Sequence, residues 1–388
     1  MANVSSSNGL EKRPKLRFPG FDEPWKKCEF KEFAKVNPKC QSIPEQFYYI
    51  DLGSVEDGEL SNVKIENALS APSRAQRLLS CNDVLFQTVR PYQQNNYLFC
   101  KERSLPTVAS TGYAVFRTKY DVPFLYALIH TGHFLNSVLS RCTGTSFPAV
   151  SASDIEDILV SIPSLGEQQK IGELFRLLNS KIRKQKALIE SLKKYKRGVT
   201  EAIFTKDLRF TTKGVLYPQW DKKYVGDICK IQTGKSNTQD ETSQGSYPFY
   251  VRSPIIRKSN RYLFDCEAVL TVGDGVGTGK VFHYVTGKFD LHQRVYAMTD
   301  FKIVSGKYFY YYFSHFFYDR VMRMTAKTSV DSVRYEMIDK MTIQIPCHEE
   351  QQQIVSFLDC LEHSVIEAEK TLNLLEKLKS GCLQQLFI

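Results

Sequence analysis

The chain repeats itself, and this internal repeat constrains its fold more than any other feature. When Pro163 is placed over Pro346, the segment Thr145–Phe204 aligns with Thr328–Phe387 without a gap. Sixteen of the sixty aligned positions are identical, far more than chance would give. A repeat of this size indicates that one supersecondary unit is used twice.

A second, weaker match opens each half of the chain. The only two tryptophans, Trp25 and Trp220, begin similar runs that end at Phe33 and Ile228. The stretches that follow show no obvious identity, and the first is twelve residues longer. Each half of the chain therefore has a variable region between two segments that resemble those of the other half. This pattern predicts one scaffold that displays two different recognition surfaces.

Each repeat copy begins with an apolar run that predicts a β-strand, Ile158–Ile162 in the first copy and Met341–Ile345 in the second. A proline ends each strand. From Glu167 to Phe204 apolar residues recur every three or four positions without a proline, which predicts a long amphipathic helix, and the second copy has the same pattern. Ser164 and Glu167 have the spacing of a capping box, whereas the second copy has a cysteine in place of the serine. The length, roughly 57 Å at about 1.5 Å per residue, indicates a coiled coil.

The two helices carry charges of opposite sign. The first is rich in Lys and Arg over residues 181–197, and the second is rich in Asp and Glu over residues 349–376. We expect an antiparallel pair within one chain, with Lys186 near Glu367 or Glu369 and Lys193 near Glu362. Each exposed pair contributes only ~0.3–0.5 kcal/mol, so the charges select the partner more than they stabilise it. The alternative is two solvated faces without pairing.

Further motifs complete a resemblance to a known family. They are Leu16–Phe21 leading to Trp25, Thr88–Tyr92, Gly273–Phe282, Leu291–Tyr296, and the Ile-Pro…Glu-Gln-Gln segments at Ile162–Gln169 and Ile345–Gln352. Each motif alone has little specificity. In this order, and doubled with an intervening helix, they resemble the specificity subunit of type I restriction-modification systems over almost the whole chain.

The resemblance implies an α/β (α+β) fold with an internal pseudo-two-fold repeat. Two globular target-recognition domains are expected, separated by two long helices that form an antiparallel coiled coil, and each domain would bind one half of a bipartite, asymmetric DNA site. The expected boundaries are an N-terminal tail at 1–20, recognition domain 1 at 21–155, the central repeat helix at 156–206, recognition domain 2 at 207–338 and the C-terminal repeat helix at 339–388.

The resemblance also implies partners and cofactors. Two methylation subunits would bring S-adenosylmethionine and methylate adenine, and restriction subunits would bring ATP and Mg²⁺ and cleave DNA, so this chain would hold no cofactor and have no catalytic role. The residues expected to mark the helix starts and the docking of these subunits are Glu167, Gln168, Gln169, Glu350, Gln351 and Gln352. The alternatives are an orphan or recombination-exchanged specificity subunit, or a two-domain scaffold that does not bind DNA.

Composition agrees with a polyanionic partner without naming one. Lys and Arg total 52 against 42 Asp and Glu, for a net charge of +10. The ten cysteines form no Cys-x-x-Cys pair, which is typical of reduced thiols in the cytoplasm. The first nine residues are polar, and no apolar run approaches the ~18 residues that a membrane span needs.

The sequence does not fit the common catalytic and ligand-binding motifs. The run Gly273–Lys280 lacks the residues of a phosphate-binding loop, and the flanking apolar runs predict a glycine-rich hairpin instead. No Pro-Pro dipeptide is present, as an adenine methyltransferase would need, and the seven histidines show no metal-ligand spacing. The aromatic run Tyr308–Tyr318 is compatible with base stacking, but a buried helix is the favoured interpretation.

DNA contacts require Lys and Arg for phosphates and planar Arg, Asn and Gln side chains for base edges. The candidates in the first variable region are Arg74, Arg77, Arg90, Gln93, Asn95 and Arg103, with Gln94 and Asn96 beside them. The candidates in the second are Lys235, Arg252, Arg257, Arg261, His292 and Arg294, with Lys258 and Gln293 beside them. For each residue taken singly, ordinary solvated surface is the alternative.

Overall fold

A computed structural model describes residues 13–39, 42–100, 103–275, 277–324 and 332–388. Cys40, Val276 and the first four residues of the second repeat copy lie outside the described residues. The chain forms two compact units: unit 1 is Met1–Ala187 with Lys370–Ile388, and unit 2 is Leu188–Glu369. Each unit combines a mixed α/β domain with one segment of each of two long helices.

Unit 1 begins after the N-terminal segment. Its strands are β1 (Lys26–Glu29), β2 (Lys35–Val36), β3 (Gln46–Ile50), β4 (Val55–Glu56), β5 (Glu59–Leu60), β6 (Lys64–Asn67), β7 (Ala75–Leu78), β8 (Asp83–Gln87), β9 (Tyr97–Phe99), β10 (Thr107–Ser110), β11 (Tyr113–Arg117) and β12 (Leu159–Ile162). Its short helices are α1 (Phe30–Phe33), α2 (Val122–Leu128), α3 (Gly132–Leu139) and α4 (Ala152–Glu156), with a 3₁₀ turn at Pro91–Gln93.

Unit 2 follows the first long helix, α5 (Leu165–Phe204). Its strands are β13 (Thr211–Thr212), β14 (Val215–Leu216), β15 (Asp221–Tyr224), β16 (Lys230–Thr233), β17 (Tyr247–Tyr250), β18 (Arg257–Ser259), β19 (Phe264–Asp265), β20 (Ala268–Val272), β21 (Phe282–Val285), β22 (Lys288–Leu291), β23 (Val295–Thr299) and β24 (Thr342–Ile345). Its helices are α6 (Val225–Ile228), α7 (Gly306–Met324) and α8 (Tyr335–Asp339), with a 3₁₀ turn at Thr238–Asp240, and the second long helix is α9 (His348–Gln385).

The two domains have the same strand order even where their sequences show no identity. One sheet has the order β2-β11-β8-β9 in unit 1 and β16-β23-β20-β21 in unit 2. The other has the order β6-β3-β10-β7 in unit 1 and β18-β17-β22-β19 in unit 2. In each second sheet the two central strands run parallel. The internal repeat therefore extends through the variable regions, where only the topology is shared.

Alternation along the central strands explains how each domain packs. In β8, Val84 and Phe86 face the main core, whereas Leu85 between them lies in a second core against the other sheet. In β20, Val269 faces the main core of unit 2 and Leu270 faces the second. Because successive side chains point to opposite faces, the first sheet of each domain is buried on both sides, between helices and the second sheet.

The strand predictions at the repeat starts are confirmed by β12 and β24, which pair antiparallel with β1 and β15. The glycine-rich hairpin is confirmed as well, since β20 pairs antiparallel with β21 across that loop. The aromatic run forms α7, in which Tyr308, Phe309 and Phe313 are fully buried, so the buried-helix interpretation is correct.

Within each unit the two long helices run antiparallel, and their contacts correct the expected register. Lys186 lies 3.9 Å from Glu376, and Lys193 lies 2.8 Å from Glu369, about seven residues along α9 from the partners expected. The expectation assumed helices that cross at their centres. Instead, each C-terminal helix end continues into a domain core: Phe387 packs against Phe175, with ring centroids 5.9 Å apart, in the core of unit 1.

Phe204 is the equivalent residue of the first repeat copy, and it lies in the core of unit 2. Its ring centroid is 5.1 Å from that of Tyr312 and 5.9 Å from that of Tyr308. Burying these terminal phenylalanines stabilises each unit by about 1.5–3 kcal/mol per side chain, more than an exposed ion pair contributes, so core packing sets the helix register.

Among the described residues, the helices include none that is both long enough and apolar enough to cross a membrane.

Candidate nucleic-acid interface

In unit 1 three of the six predicted contact residues, Arg90, Gln93 and Asn95, lie in the loop that follows β8. Gln87, at the end of that strand, has a buried side chain that holds the loop by hydrogen bonds. The Gln87 Nε2 atom donates to the Val89 carbonyl and to Gln93 Oε1, both at 2.8 Å, and its Oε1 accepts from the Asn95 backbone N–H at 3.1 Å. Two of the predicted contacts, Gln93 and Asn95, are therefore tied into the loop's own hydrogen bonds.

Asn96 closes this network from the other end of the loop. Its side chain is buried, and Oδ1 accepts from the Gln87 backbone N–H at 2.9 Å. The Tyr126 hydroxyl donates to the Asn96 carbonyl at 3.1 Å, and Asn96 Nδ2 lies 3.3 Å from Nε2 of His130. Burial lowers the pKa of His130 to about 4, so a neutral ring accepts from this amide. Asn96 is thus a support of the loop rather than part of its outer surface.

Arg90 lies at the start of the same loop and is half-buried. Its backbone is left-handed, with φ 55° and ψ 54°, a conformation that non-glycine residues rarely adopt. Its guanidinium carbon lies over the Phe147 ring, 4.3 Å from the centroid, and the Phe147 side chain is 64% exposed. This places a cation–aromatic pair on the surface of unit 1.

The other three candidates in unit 1 lie on or beside the second sheet. Arg74 is exposed and immediately precedes β7, whereas Arg77 lies half-buried within that strand. Arg103 is exposed and lies over the Tyr48 ring at 5.0 Å from its centroid. They do not belong to the Gln87 network.

In unit 2 two of the candidates, Arg252 and Arg294, converge on one carboxylate. Arg252 Nη1 and Arg294 Nε lie 3.4 and 3.7 Å from Asp274, which follows β20 as Val89 follows β8. Both guanidinium groups are about half exposed. His292 is buried, and its Nδ1 accepts from the Arg294 backbone N–H at 3.0 Å. Burial and the Arg252 charge lower the pKa of His292, so a neutral imidazole supports the loop that carries Arg294.

Arg257 and Arg261 form a second group in unit 2. Arg257 lies 3.1 Å from Glu241, and Arg261 Nη2 donates to Asp240 at 2.8 Å and to Ser236 Oγ at 2.9 Å. Lys235 is exposed in the loop after β16. The Arg257–Glu241 pair is partly exposed and weak, so Arg257 can exchange its carboxylate for a phosphate at low energetic cost. Arg261 also lies 3.6 Å from the fully buried Asp290 carboxylate, so its release would leave that charge without its cation.

In the first Glu-Gln-Gln segment the structure corrects the capping box expected of Ser164 and Glu167. The Glu167 carboxylate is buried and accepts from Arg17 Nε and Nη2, each at 2.8 Å, and from Trp25 Nε1 at 3.2 Å. The glutamate thus binds two groups of the N-terminal segment, and its oxygens are not turned to the helix start as a capping box requires. Gln168 is also buried and donates to the Pro163 carbonyl, whereas Gln169 is exposed.

Unit 2 repeats this arrangement. The buried Glu350 accepts from Arg209 at 2.8 and 3.1 Å and from Trp220 Nε1 at 2.8 Å. Gln351 is buried and donates to the Pro346 carbonyl at 3.0 Å, whereas Gln352 is exposed. In each unit we call the Arg, Glu and Trp side chains the Arg–Glu–Trp triad. It joins the segment before each domain to the start of the helix that follows the domain.

Sequence reasoning missed the two triad arginines and the supports Gln87, Asp274 and Phe147. A signal for the arginines was present, because Leu-Arg-Phe occurs at residues 16–18 and again at 208–210, shortly before each tryptophan. No comparable sequence signal marks the three supports, since their roles depend on which strands and loops become neighbours.

The described residues also include no group of three or more His, Cys, Asp or Glu side chains placed to hold a metal ion.

Comparison with known proteins defines the class. A family model described as the type I restriction modification DNA specificity domain matches residues 23–194 and again residues 218–379. The two matches together cover most of the chain, which therefore belongs to this family.

Individual relatives are distant. A specificity subunit of the type I restriction enzyme EcoDI from Escherichia coli is 27% identical over 148 residues, which is 38% of this chain and 32% of that protein. The alignment thus spans about a third of the relative's length. The MjaIX specificity subunit from Methanocaldococcus jannaschii is 21% identical over 293 residues, 68% of this chain and 67% of the relative.

Solved structures share the fold. An S subunit of a type I restriction-modification system from M. genitalium superposes with a TM-score of 0.68 at 12% identity, over 97% of this chain and 99% of that one. A chain from a structural study of complex assembly and conformational transition in the type I R-M system gives a TM-score of 0.53 at 20% identity, over 96% and 99%. The predicted fold class is thereby confirmed.

Proposed function

We propose that this chain determines the DNA sequence specificity of a type I restriction-modification complex, and that each unit binds one half of a bipartite, asymmetric site. One observation carries the proposal. The same strand order occurs in both units, yet the loop after the central strand carries Arg90 on Phe147 in one and Asp274 with two arginines in the other. Two equivalent positions with different chemistry would bind two different base sequences.

The charge of the chain supports a polyanionic ligand. The net charge is +10, and the arginines of both interfaces lie on loops that the sheets hold in place. Phosphate contacts displace counterions from DNA. The logarithm of the binding constant should therefore fall linearly with the logarithm of the salt concentration. A scaffold that does not bind DNA would show no such dependence.

The partners and cofactors follow from the family as parts of the proposal. Two methylation subunits would supply S-adenosylmethionine and transfer the methyl group to adenine, and restriction subunits would supply ATP and Mg²⁺, all in the cytoplasm. This chain would position them without reacting itself. Since Glu167, Gln168 and their equivalents are buried in unit 1 and unit 2, docking would use exposed residues such as Gln169 and Gln352.

The test is genomic methylation sequencing in cells that express the methylation subunits with or without this chain. The expected result is a two-part motif that is methylated only when both are present, while the purified chain alone transfers no methyl group from S-adenosylmethionine to DNA. The same motif without the chain, or turnover by the chain free of other subunits, would contradict the proposal.

A further inference from the structure

The loop after β8 holds an arginine in an unfavourable backbone conformation. Arg90 has φ 55°, and its N–H donates to the Pro148 carbonyl at 2.7 Å while its carbonyl accepts from the Gln93 N–H at 3.0 Å. Strain of this kind persists only where surrounding contacts impose it, and it is concentrated at functional sites. A glycine would adopt the same conformation freely, whereas an arginine places a guanidinium at this position at a cost in backbone strain.

An aromatic ring holds the Arg90 side chain, and no carboxylate neutralises its charge within the described residues. The Arg90 guanidinium lies over the Phe147 ring at 4.3 Å, and within the described part of the chain it has neither a carboxylate partner nor a side-chain hydrogen-bond acceptor. Its Nε atom is buried with no hydrogen-bond partner. The Phe147 ring is 64% exposed, so the stacked pair lies at the surface, where the ring orients the guanidinium.

Hydrogen bonds hold the backbone of the loop that carries Arg90. Gln87 is buried and binds the loop at Val89, Gln93 and Asn95. An arginine on a fixed backbone and stacked on a ring loses little conformational entropy on binding. That arrangement favours contacts that depend on orientation over a contact to a phosphate, for which a flexible lysine would serve.

The equivalent place in unit 2 also carries guanidinium groups. Val89 forms an isolated bridge with Ala149, and Asp274 forms the same antiparallel bridge with Ser332, which follows Ala149 at the spacing of the internal repeat. Asp274 is the residue near which Arg252 and Arg294 converge. Both units thus place guanidinium groups beside the loop after the equivalent central strand. An aromatic ring holds the guanidinium in unit 1, and a carboxylate holds two of them in unit 2.

We propose that Arg90, oriented by Phe147, is the residue of unit 1 that recognises a guanine, with its guanidinium donating two hydrogen bonds to O6 and N7 in the major groove. This inference rests on the proposed DNA-binding function and adds to it a specificity-determining residue and the base it selects. A planar guanidinium matches the two acceptors of guanine, and no other base presents that pair in the major groove.

The test uses the full chain with its methylation subunits, and methylation sequencing of cells that express wild type, Arg90→Lys or Phe147→Leu. With Arg90→Lys, one position of the unit 1 half-site should change from guanine to mixed bases, with a roughly 10-fold to 100-fold loss of discrimination, because lysine keeps the charge and loses the fork. Phe147→Leu should relax the same position several-fold. The other half-site should stay unchanged.

Arg141→Lys is the matched control, since Arg141 belongs to unit 1 and its guanidinium donates to the Ser137 carbonyl of the preceding helix α3. It should leave the motif intact. Thermal melting of each complex distinguishes loss of folding from loss of recognition, and Phe147→Leu removes only a largely exposed ring.

The outcomes separate the two proposals. A wild-type motif with no guanine in the unit 1 half-site, or an unchanged motif in Arg90→Lys, overturns the role of Arg90 while leaving the proposed function intact. A uniform loss of methylation at all sites shows a phosphate contact and also overturns it. If the wild-type complex methylates no two-part motif, the proposed function itself fails.

Discussion

The Arg209 guanidinium forms a two-point ion pair with the buried Glu350 carboxylate, at Nε–Oε1 and Nη2–Oε2 distances of 2.8 and 3.1 Å. Arg17 and Glu167 form the same pair in unit 1. A buried carboxylate is stable only when several donors satisfy it, and a tryptophan N–H supplies the third in both units. The triads therefore hold each long helix start to its own domain.

Removing the arginine from one triad should destabilise the chain strongly. Arg209→Gln leaves the Glu350 charge buried without its cationic partner, with the neutral Trp220 N–H still donating to it, and the expected loss is about 3–5 kcal/mol of unfolding free energy. Arg176→Gln is the control, because Arg176 forms an exposed pair with Glu173 that contributes about 0.2–0.5 kcal/mol. Urea denaturation followed by circular dichroism measures both. Equal losses would show that the triad is not a stabilising feature.

The ion pairs between the long helices are expected to select the pairing partner. Lys186 and Glu369 occupy equivalent positions of the two repeat copies, as do Lys193 and Glu376, and the observed pairs are Lys186–Glu376 and Lys193–Glu369. Two copies of the first helix in the same register would place Lys186 opposite Lys193. Opposite charges therefore favour the intrachain pair over self-association of like helices.

A double-mutant cycle tests this pairing. Lys193→Glu places two carboxylates together and should lower the unfolding free energy by several tenths of a kcal/mol, and adding Glu369→Lys should restore it, with a coupling of about 0.3–0.5 kcal/mol for an exposed pair. The coupling should shrink in 1 M salt, where the Debye length is about 3 Å. A coupling that is absent at low salt, or unaffected by salt, would be contrary to the proposed role.

The stability of unit 1 should depend on pH through His130. The folded chain keeps this ring neutral down to a pKa of about 4, against an ordinary value of 6.5. Between these values the unfolded chain binds more protons, so the unfolding free energy should decrease as pH falls from 6.5 to 4, by at most about 3 kcal/mol. His130→Gln should flatten the decrease in denaturation curves at pH 4.5 and 7. His133→Gln, at an exposed position, should retain it, and equal pH profiles for all three proteins would refute the assignment.

Exchange of one variable region should alter one half-site only. The structure places suitable junctions at Lys35, after β1 and α1, and at Pro148, before the strand and helix of the repeat, so that the β1–β12 pairing is preserved. Replacing residues 35–148 with the corresponding part of another family member should change the unit 1 half-site in methylation sequencing and leave the other half-site intact. A simultaneous change in both halves would rule out independent recognition domains.

Much of the architecture follows directly from the sequence. The gapless repeat from Thr145 and Thr328 determined two copies of a strand and a long helix, because a periodic apolar pattern without proline has few other stable structures. Opposite charges on the two helices predicted that they pair with each other. These are local or one-dimensional properties, and a single sequence displays them.

The tertiary structure alone decided the rest. The two variable regions fold with the same strand order although their sequences differ. Strand order depends on which strands can bury both faces, and many combinations of apolar side chains meet that requirement. The helix register depends on Phe204 and Phe387 reaching their domain cores. Glu167 and Glu350, conspicuous in the sequence as shared polar residues, are buried because arginines about 140–150 residues away satisfy their charge, and Arg90 stands out because Phe147 is folded beneath it. Contacts between residues so far apart in the chain arise from packing in three dimensions, and no local pattern encodes them.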